Sequence, residues 1–237
     1  MTVYSVTDWI GKRKNFMFVG ESGCGKSETA LHFAFALAGQ KTKTVHFFDM
    51  DQTKPLFRSR DVRQALTEAG VVCHATAQVL DTPNLVSGAG HFLCDEDSYV
   101  IVDVGGNGAG ARLIGGLAPY FSRQDTSIGY LINPYRPWSQ DVYSIDSIMT
   151  EIRRAARIPS VHVIASPNLG RTTSASEFLE GCDRLIRMVG EYVEVEFAVV
   201  MEALYESVKE ASPFLLLPIR LRMKYPWDDE GIRVPVP

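Results

Sequence analysis

The stretch FVGESGCGKSETA, residues 18 to 30, decides the fold. Gly20, Gly25, Lys26 and Ser27 have the spacing of a phosphate-binding loop, which here follows an apolar run and opens a segment of helical period. Glycines at these places let backbone N–H groups converge on phosphate oxygens at a helix N-terminus. The motif therefore predicts a strand, a phosphate loop and a helix that together bind a nucleotide.

The loop also predicts individual contacts. Lys26 is expected to neutralise the β and γ phosphates and to act in catalysis, and the Ser27 hydroxyl is expected to coordinate Mg²⁺. The set of residues expected to hold the nucleotide within the loop is Gly20, Glu21, Ser22, Gly23, Cys24, Gly25, Lys26, Ser27 and Glu28.

Short apolar runs alternate with longer segments of helical period along the rest of the chain. The predicted strands are 15–19, 44–48, 71–75, 99–104, 128–132, 161–165, 193–199 and 213–219. The predicted helices are 27–39, 60–70, 111–121, 138–157 and 174–188. Nearly continuous apolar strands are typical of a sheet covered on both faces. The pattern predicts a doubly wound, mainly parallel α/β domain of three layers spanning residues 1–237, with 224–237 as an extended tail.

Composition narrows the functional classes. The 237 residues carry a net charge of −4, and Lys and Arg are scattered, so we expect no nucleic-acid partner. No apolar run is long enough to span a membrane, and the first residues lack the apolar core of a signal peptide, which favours a cytoplasmic protein. The four cysteines form no C-x-x-C pair and are interpreted as buried thiols.

Carboxylates end two of the predicted strands. Asp103 follows YVIV and precedes a glycine-rich stretch, which suits an aspartate of a nucleotide-bound Mg²⁺ site leading into a switch segment. Asp49 and Asp51 end FFDMD, where one is expected to support the metal and the other to orient the attacking water. The predicted metal ligands are Ser27, Asp49 and Asp103.

The order of these motifs, from the phosphate loop through FFDMDQTKPL and YVIVDVGGNGAG to ASPNLGRTT, resembles the deviant-Walker-A ATPases of the SIMIBI class. This family includes ParA and MinD partitioning proteins, the nitrogenase iron protein and the nickel-insertion ATPase of carbon monoxide dehydrogenase. The resemblance implies that Asp51 positions the water, Asp103 is the Walker B aspartate and Asn168 reads adenine. It also implies slow ATP hydrolysis as a switch in accessory, maturation or partitioning functions for a protein client, with an ATP-dependent homodimer.

Two residues depart from that family. Glu21 stands where the family carries a signature lysine that reaches the partner's phosphates, and Asn107 replaces an acid of the iron-protein type. A glutamate has the wrong charge for the lysine's role. Arg58, Arg60 and Arg112, near the two predicted switches, are therefore candidates for the missing cation.

Other functional classes remain open. GESGCGKSETAL also resembles the phosphate loop of HPr kinase, so a kinase that transfers the γ phosphate to an acceptor is the main alternative. Glu21 and Asn107 favour a nucleotide-binding scaffold with little turnover. A GTPase is disfavoured because no N-K-x-D stretch occurs.

The remaining polar and aromatic residues are interpreted structurally. His32 and His46 are expected to be packed histidines, and Trp138 and Tyr143 are expected to pack on a helix. Cys94 is expected to be an ordinary thiol, with a metal or cluster at the axis of a two-fold dimer as the alternative.

Overall fold

The computed structural model describes residues 5–51, 60–74, 82–106 and 108–223. The predicted tail 224–237, together with Arg58, Asn107 and the side chain of Arg60, lies outside the described residues. Within the described ranges, no helix is both long and apolar enough to cross a membrane.

Eight strands form one sheet in the described chain. They are β1 Asn15–Gly20, β2 Thr44–Met50, β3 Val71–His74, β4 Ser98–Val104, β5 Thr126–Ile132, β6 His162–Ala165, β7 Val195–Met201 and β8 Leu216–Ile219. Their order across the sheet is β3-β2-β4-β1-β5-β6-β7-β8, and every neighbouring pair is parallel. The predicted doubly wound α/β fold is confirmed.

Helices connect the strands and cover both faces of the sheet. They are α1 Val6–Ile10, α2 Lys26–Gln40, α3 Arg60–Glu68, α4 Thr82–Cys94, α5 Gly108–Leu113, α6 Ala118–Phe121, α7 Val142–Ala156, α8 Ala175–Val189 and α9 Tyr205–Val208. Alternate residues of β1 enter different clusters: Phe16 and Phe18 pack with α1 and α2, whereas Met17 and Val19 pack with the cluster that contains α7 and α8 residues. This alternation explains why the central strands read as continuous apolar runs.

Several predictions about individual elements were wrong. The helix predicted at 111–121 is divided into α5, a 3₁₀ turn at Ile114–Leu117 and α6, because Gly115 and Gly116 weaken the helix and Pro119 lacks a backbone donor. Helix α1 was not predicted, because five residues are too few to show the helical period of apolar residues. Helix α4 contains two glycines in TPNLVSGAGHFLC and was not predicted.

Some predicted burial was also wrong. Trp138 is 58% exposed and Tyr143 is 84% exposed, so neither packs on a helix as expected. Cys24 and Cys182 are buried as expected, but Cys73 is partly exposed and Cys94, the last residue of α4, is exposed. His46 is packed as predicted, since its ring stacks on Phe92 with centroids 3.8 Å apart.

Strand register places the candidate residues together. Asp103 of β4 is opposite Asp49 of β2 on one side and opposite Phe18 of β1 on the other. Because the strands are parallel, their carboxyl ends share one edge of the sheet, and β1 runs directly from that edge into the phosphate loop.

Candidate functional site

The phosphate loop is shaped by three glycines with positive φ. Gly20 (134°), Gly23 (78°) and Gly25 (91°) adopt backbone angles that other residues rarely reach. A side chain at Gly20 would come within 2.5 Å of the Leu131 carbonyl oxygen of β5. The loop therefore rests closely on the end of β5, and Gly25 is the N-cap of α2.

Lys26 is held inside its own loop. It is only 6% exposed, and its Nζ donates a hydrogen bond of 2.6 Å to the Glu21 carbonyl oxygen. The Cys24 Sγ lies 3.9 Å from the same nitrogen. The ammonium group is thus fixed at the loop where the sequence predicts the phosphates, with Ser27 next to it at the start of α2.

Glu21 is buried beside Lys26. The residue is 6% exposed, and its Oε2 accepts no hydrogen bond from the described residues. Burial raises the pKa of the Glu21 carboxyl to about 7, and the charge of Lys26 opposes this rise. Burial raises the pKa of Tyr130, and the nearby Cys24 and Glu21 raise it further. The Glu21 carboxyl therefore lies close to Lys26 and Tyr130.

Asp103 and Asp49 form a buried pair of acids at the edge of the sheet. Asp103 is 0% exposed and Asp49 5% exposed. Neither Asp103 oxygen has a well-formed hydrogen bond within the described residues, although the Ser27 hydroxyl is close enough to favour its charged form. Burial, followed by the charge of Asp49, raises the pKa of Asp103 to about 8. Such a pair is arranged to receive positive charge.

The two predicted switch segments lie against the loop and against each other. The Asp51 backbone N–H donates to the Asp49 Oδ1 at 3.2 Å. A side chain at Gly105 would come within 3.3 Å of the Asp51 Oδ1, and one at Gly106 within 2.5 Å of the Ser22 nitrogen. At Gly106 only glycine permits this approach to the Ser22 backbone, and at Gly105 a side chain would be tight against Asp51, so the segment after β4 lies close to both the loop and Asp51.

Asn168 lies at the other side of the loop. A side chain at Gly25 would come within 2.9 Å of the Ser166 Oγ and 3.8 Å of the Asn168 Nδ2. The Asn168 Nδ2 donates to the Ser166 carbonyl at 2.9 Å. The structure thus brings the expected base-reading residue next to the phosphate loop, close to the N-terminus of α2.

Sequence reasoning missed Asn133, which joins these parts. Asn133 is fully buried after β5, and its Nδ2 donates to the Asn168 carbonyl at 2.8 Å and to the Gly23 carbonyl at 3.5 Å. Its Oδ1 accepts from the backbone N–H groups of Tyr135 and Asn168. The available signal was the polar N-P pair, Asn133 and Pro134, directly after the predicted strand 128–132.

Sequence reasoning also missed Arg136. Its Nε donates to the Gly23 carbonyl at 3.0 Å, across 113 positions of sequence. Of the three arginines proposed instead, Arg112 has a described side chain, and its Nε donates to Gly108 of its own helix at 3.2 Å.

The end of the described chain docks beside the site. The Glu28 carboxylate in the first turn of α2 accepts the backbone N–H groups of Arg222 at 2.8 Å and Met223 at 3.0 Å. The Arg222 guanidinium carbon lies 3.6 Å from the Phe35 ring centroid, and Arg171 donates to the Met223 carbonyl. The Glu28 side chain is therefore used by the protein, so any contact of this residue with phosphate is left to its backbone.

The described residues offer no group of three or more His, Cys, Asp or Glu side chains arranged to hold a metal ion. This finding concerns sites formed within one chain, so a metal held by Cys94 at the axis of a two-fold dimer stays a prediction. The Asp49 and Asp103 pair has only two carboxylates and depends on further oxygens from a hydroxyl, a nucleotide or water.

Comparison with known proteins extends this description. The family model of the CobQ/CobB/MinD/ParA nucleotide binding domain matches residues 16–193. No curated protein matches the chain. Among solved structures, the chain is similar to the cell division protein FtsY of Thermotoga maritima, with 14% identity, a TM-score of 0.50, and coverage of 79% of this chain and 62% of that chain.

A second solved structure is the signal recognition particle 54 kDa protein of Aeropyrum pernix in complex with GDP. Its identity is 20% and its TM-score 0.49, and the match covers 79% of this chain and 41% of that chain. The chain therefore spans less than two thirds of the length of either protein. At these identities the likeness concerns the fold.

Proposed function

Because this chain belongs to the family of CobQ/CobB/MinD/ParA nucleotide-binding domains, we propose that it binds Mg²⁺-ATP and hydrolyses it slowly as a switch for a protein client. The observation that carries the proposal is the buried Asp103 at the edge of the phosphate loop. Its two carboxylate oxygens lack well-formed hydrogen bonds within the described residues. A buried acid in this state is stabilised when a ligand supplies positive charge.

The residues around Asp103 fit a magnesium ion. Mg²⁺ prefers oxygen ligands and usually combines one or two carboxylates with water and phosphate oxygens. Ser27 would coordinate it directly, and Asp49 and Asp103 would hold it or its water. When bound, the ion would supply charge that offsets the repulsion between these acids and the phosphates.

Lys26 would exchange partners when nucleotide binds. Its ammonium now donates to the neutral Glu21 carbonyl at 2.6 Å. A phosphate oxygen is a stronger acceptor because the hydrogen bond is then charge-assisted at both ends. Lys26 would thus neutralise the β and γ phosphates while the N–H groups of the loop and of α2 bind their oxygens.

Asp51 would orient the attacking water. It lies on the segment after β2, against Gly105, and Gly105 is followed by Gly106, which contacts Ser22 of the loop. A change in the loop on γ-phosphate loss would therefore reach both switch segments through direct contact. This is how hydrolysis would alter the surface offered to a client.

ATP is proposed over GTP because the sequence has no N-K-x-D stretch and Asn168 lies beside Gly25, where α2 begins. Titration calorimetry with Mg²⁺-ATP and Mg²⁺-GTP tests this choice. Tighter binding of ATP is expected. Equal affinities would remove the adenine preference without removing the phosphate site.

Measurement of phosphate release distinguishes ATP hydrolysis from binding without turnover and from transfer to an acceptor. We expect slow release of inorganic phosphate from Mg²⁺-ATP without any added acceptor. Binding without release would indicate the nucleotide-binding scaffold, and transfer of labelled γ phosphate to an added protein or small acceptor would indicate the kinase. The Lys26→Ala variant serves as the control for contaminating ATPase.

A further inference from the structure

The candidate site has a shortage of positive charge. Glu21, Asp49, Asp51 and Asp103 contribute carboxyl groups around the loop, whereas Lys26 is the sole cation between residues 20 and 27. A nucleoside triphosphate adds several negative charges to the same place. Phosphoryl transfer is accelerated chiefly by positioned positive charge around the terminal phosphate, often including an arginine.

Arg136 lies against the phosphate loop at Gly23. Besides the bond from its Nε to the Gly23 carbonyl, the guanidinium packs on Gly23 itself. A side chain at Gly23 would come within 2.9 Å of the Arg136 Nε, 3.0 Å of its Cζ and 3.2 Å of one terminal nitrogen. The lack of a side chain at Gly23 is what allows the guanidinium to approach the loop backbone.

The segment that carries Arg136 is held firmly. The Arg136 backbone N–H donates to the Asn133 carbonyl at 3.0 Å, and the Ser139 N–H donates to the Arg136 carbonyl at 3.0 Å. The Tyr135 hydroxyl donates to the Glu177 carbonyl of α8. Asn133, fully buried, connects this turn to the loop. The arginine is therefore positioned before any ligand arrives, which lowers the entropic cost of using it.

The Arg136 guanidinium has more N–H donors than its contact with the loop uses. A guanidinium carries five N–H groups in a planar fork that matches phosphate oxygens. One of them, on Nε, is used by Gly23, and the residue is half-buried, so part of the side chain is exposed to solvent.

We propose that Arg136 binds the terminal phosphate of the nucleotide held in its own chain's loop, and that it supplies the second positive charge which the family's lysine provides elsewhere. The inference rests on the proposed function and adds a residue to that site. It makes Arg136 a determinant of discrimination between triphosphate and diphosphate, because the contact exists only when the γ phosphate is present.

The test is calorimetry on the full chain with Mg²⁺ and either ADP or a non-hydrolysable ATP analogue. Arg136→Ala should weaken analogue binding about 10- to 100-fold, as expected for a lost hydrogen bond to a charged group. ADP affinity should stay within about 3-fold, which also shows that the variant is folded. Arg187→Ala, which removes an exposed arginine of α8, controls for net charge and should leave both affinities unchanged.

The results that would contradict the role of Arg136 differ from those that would contradict the proposed function. If Arg136→Ala leaves both affinities unchanged, or lowers both equally, Arg136 merely supports the loop through Gly23 and the inference is wrong. If the unaltered chain binds neither nucleotide, the proposed function itself fails. Arg136→Lys keeps the charge but not the planar fork, and full analogue affinity in that variant would contradict the role of the guanidinium.

A mixing experiment decides which chain the arginine serves. Lys26→Ala keeps Arg136 but lacks the loop lysine, so it can donate an arginine without binding nucleotide well. Added in excess to Arg136→Ala, it should not restore analogue affinity. Restored affinity would show that the arginine acts across a dimer and would overturn the proposal that it acts within its own chain.

Discussion

The two ends of the parallel sheet treat buried charge in opposite ways. At the amino end, the buried Lys14 Nζ lies 3.2 Å from a Glu96 carboxylate oxygen and 3.6 Å from an Asp125 oxygen. At the carboxyl end, Glu21 and Asp103 are as deeply buried, yet their carboxyl groups retain oxygens without a hydrogen-bond partner among the described residues.

This difference separates stability from function. Buried polar groups in folded proteins are usually paired, because an unpaired one loses its interaction with water without compensation. At the amino end the charged Lys14 follows that rule, whereas the uncharged Asn15 Oδ1 and Ser127 Oγ lack a partner among the described residues, so the contrast concerns charged groups. The carboxyl end violates the rule at the place where the sequence predicts a ligand, as expected where a protein gives up stability to bind one.

The largest expected effect comes from removing the cation at the carboxyl end. Lys26→Ala should lower Mg²⁺-ATP affinity by about 10²-fold or more, because a charge-assisted hydrogen bond is lost beside several acids. Calorimetry measures the affinity, and circular dichroism checks the fold. Unchanged affinity would show that the loop is not the phosphate site.

The next effect separates chemistry from binding. Asp51→Ala should lower phosphate release by about 10²-fold while ATP affinity changes only a few fold, as expected for a residue that acts mainly in the transition state. Steady-state kinetics and calorimetry on the same preparation give both values. If turnover survives, Asp49 is the next candidate for orienting the water.

Asp103→Asn should raise stability while weakening Mg²⁺-ATP binding. Burial raises the pKa of Asp103 to about 8 in the folded chain, above the ordinary aspartate value of 3.8. The unfolded chain therefore releases this proton first, and the stability of the ligand-free protein falls as pH rises from about 4 to 8.

The substitution removes that dependence. The free energy of unfolding of the Asp103→Asn variant, measured with urea, should exceed that of the parent by about 1–3 kcal/mol at a pH of about 8 and equal it near pH 4. A variant that is less stable than the parent at the higher pH would show that Asp103 is satisfied in the folded protein, and the contrast between the two ends would disappear.

The smallest effect belongs to the amino end. Lys14→Met should lower the unfolding free energy by about 1–2 kcal/mol, because Asp125 and the Asp95 carbonyl lose a buried donor while Glu96 remains solvated. ATP affinity should be unchanged, since these groups lie at the opposite edge of the sheet. A loss of affinity would contradict the division of roles.

The sequence predicted the parts of this protein that depend on local pattern. All eight strands of the described sheet, and the placement of Asp49, Asp51 and Asp103 at its carboxyl edge, follow from apolar runs and from the geometry of parallel strands. The phosphate loop was recognisable because its glycine spacing is fixed by backbone angles that few residues adopt.

Long-range contacts were not predictable in this way. Arg136 and Asn133 reach Gly23 across 113 and 110 positions, and nothing in their immediate neighbours indicates the contact. The inward placement of Glu21 was missed for a related reason. The burial of Glu21 depends on how the loop folds over its own residues, which the local sequence does not show.

The docking of Arg222 and Met223 on Glu28 also determines how the molecule responds to force. A tether attached at Met223 would load these two hydrogen bonds together with the Arg171 contact to the Met223 carbonyl, and through Glu28 it would pull on the first turn of α2. In an optical trap, the first rupture should therefore occur at the helix that begins at the phosphate loop. Nucleotide in that loop would reinforce the anchored end, so the rupture force itself would report occupancy.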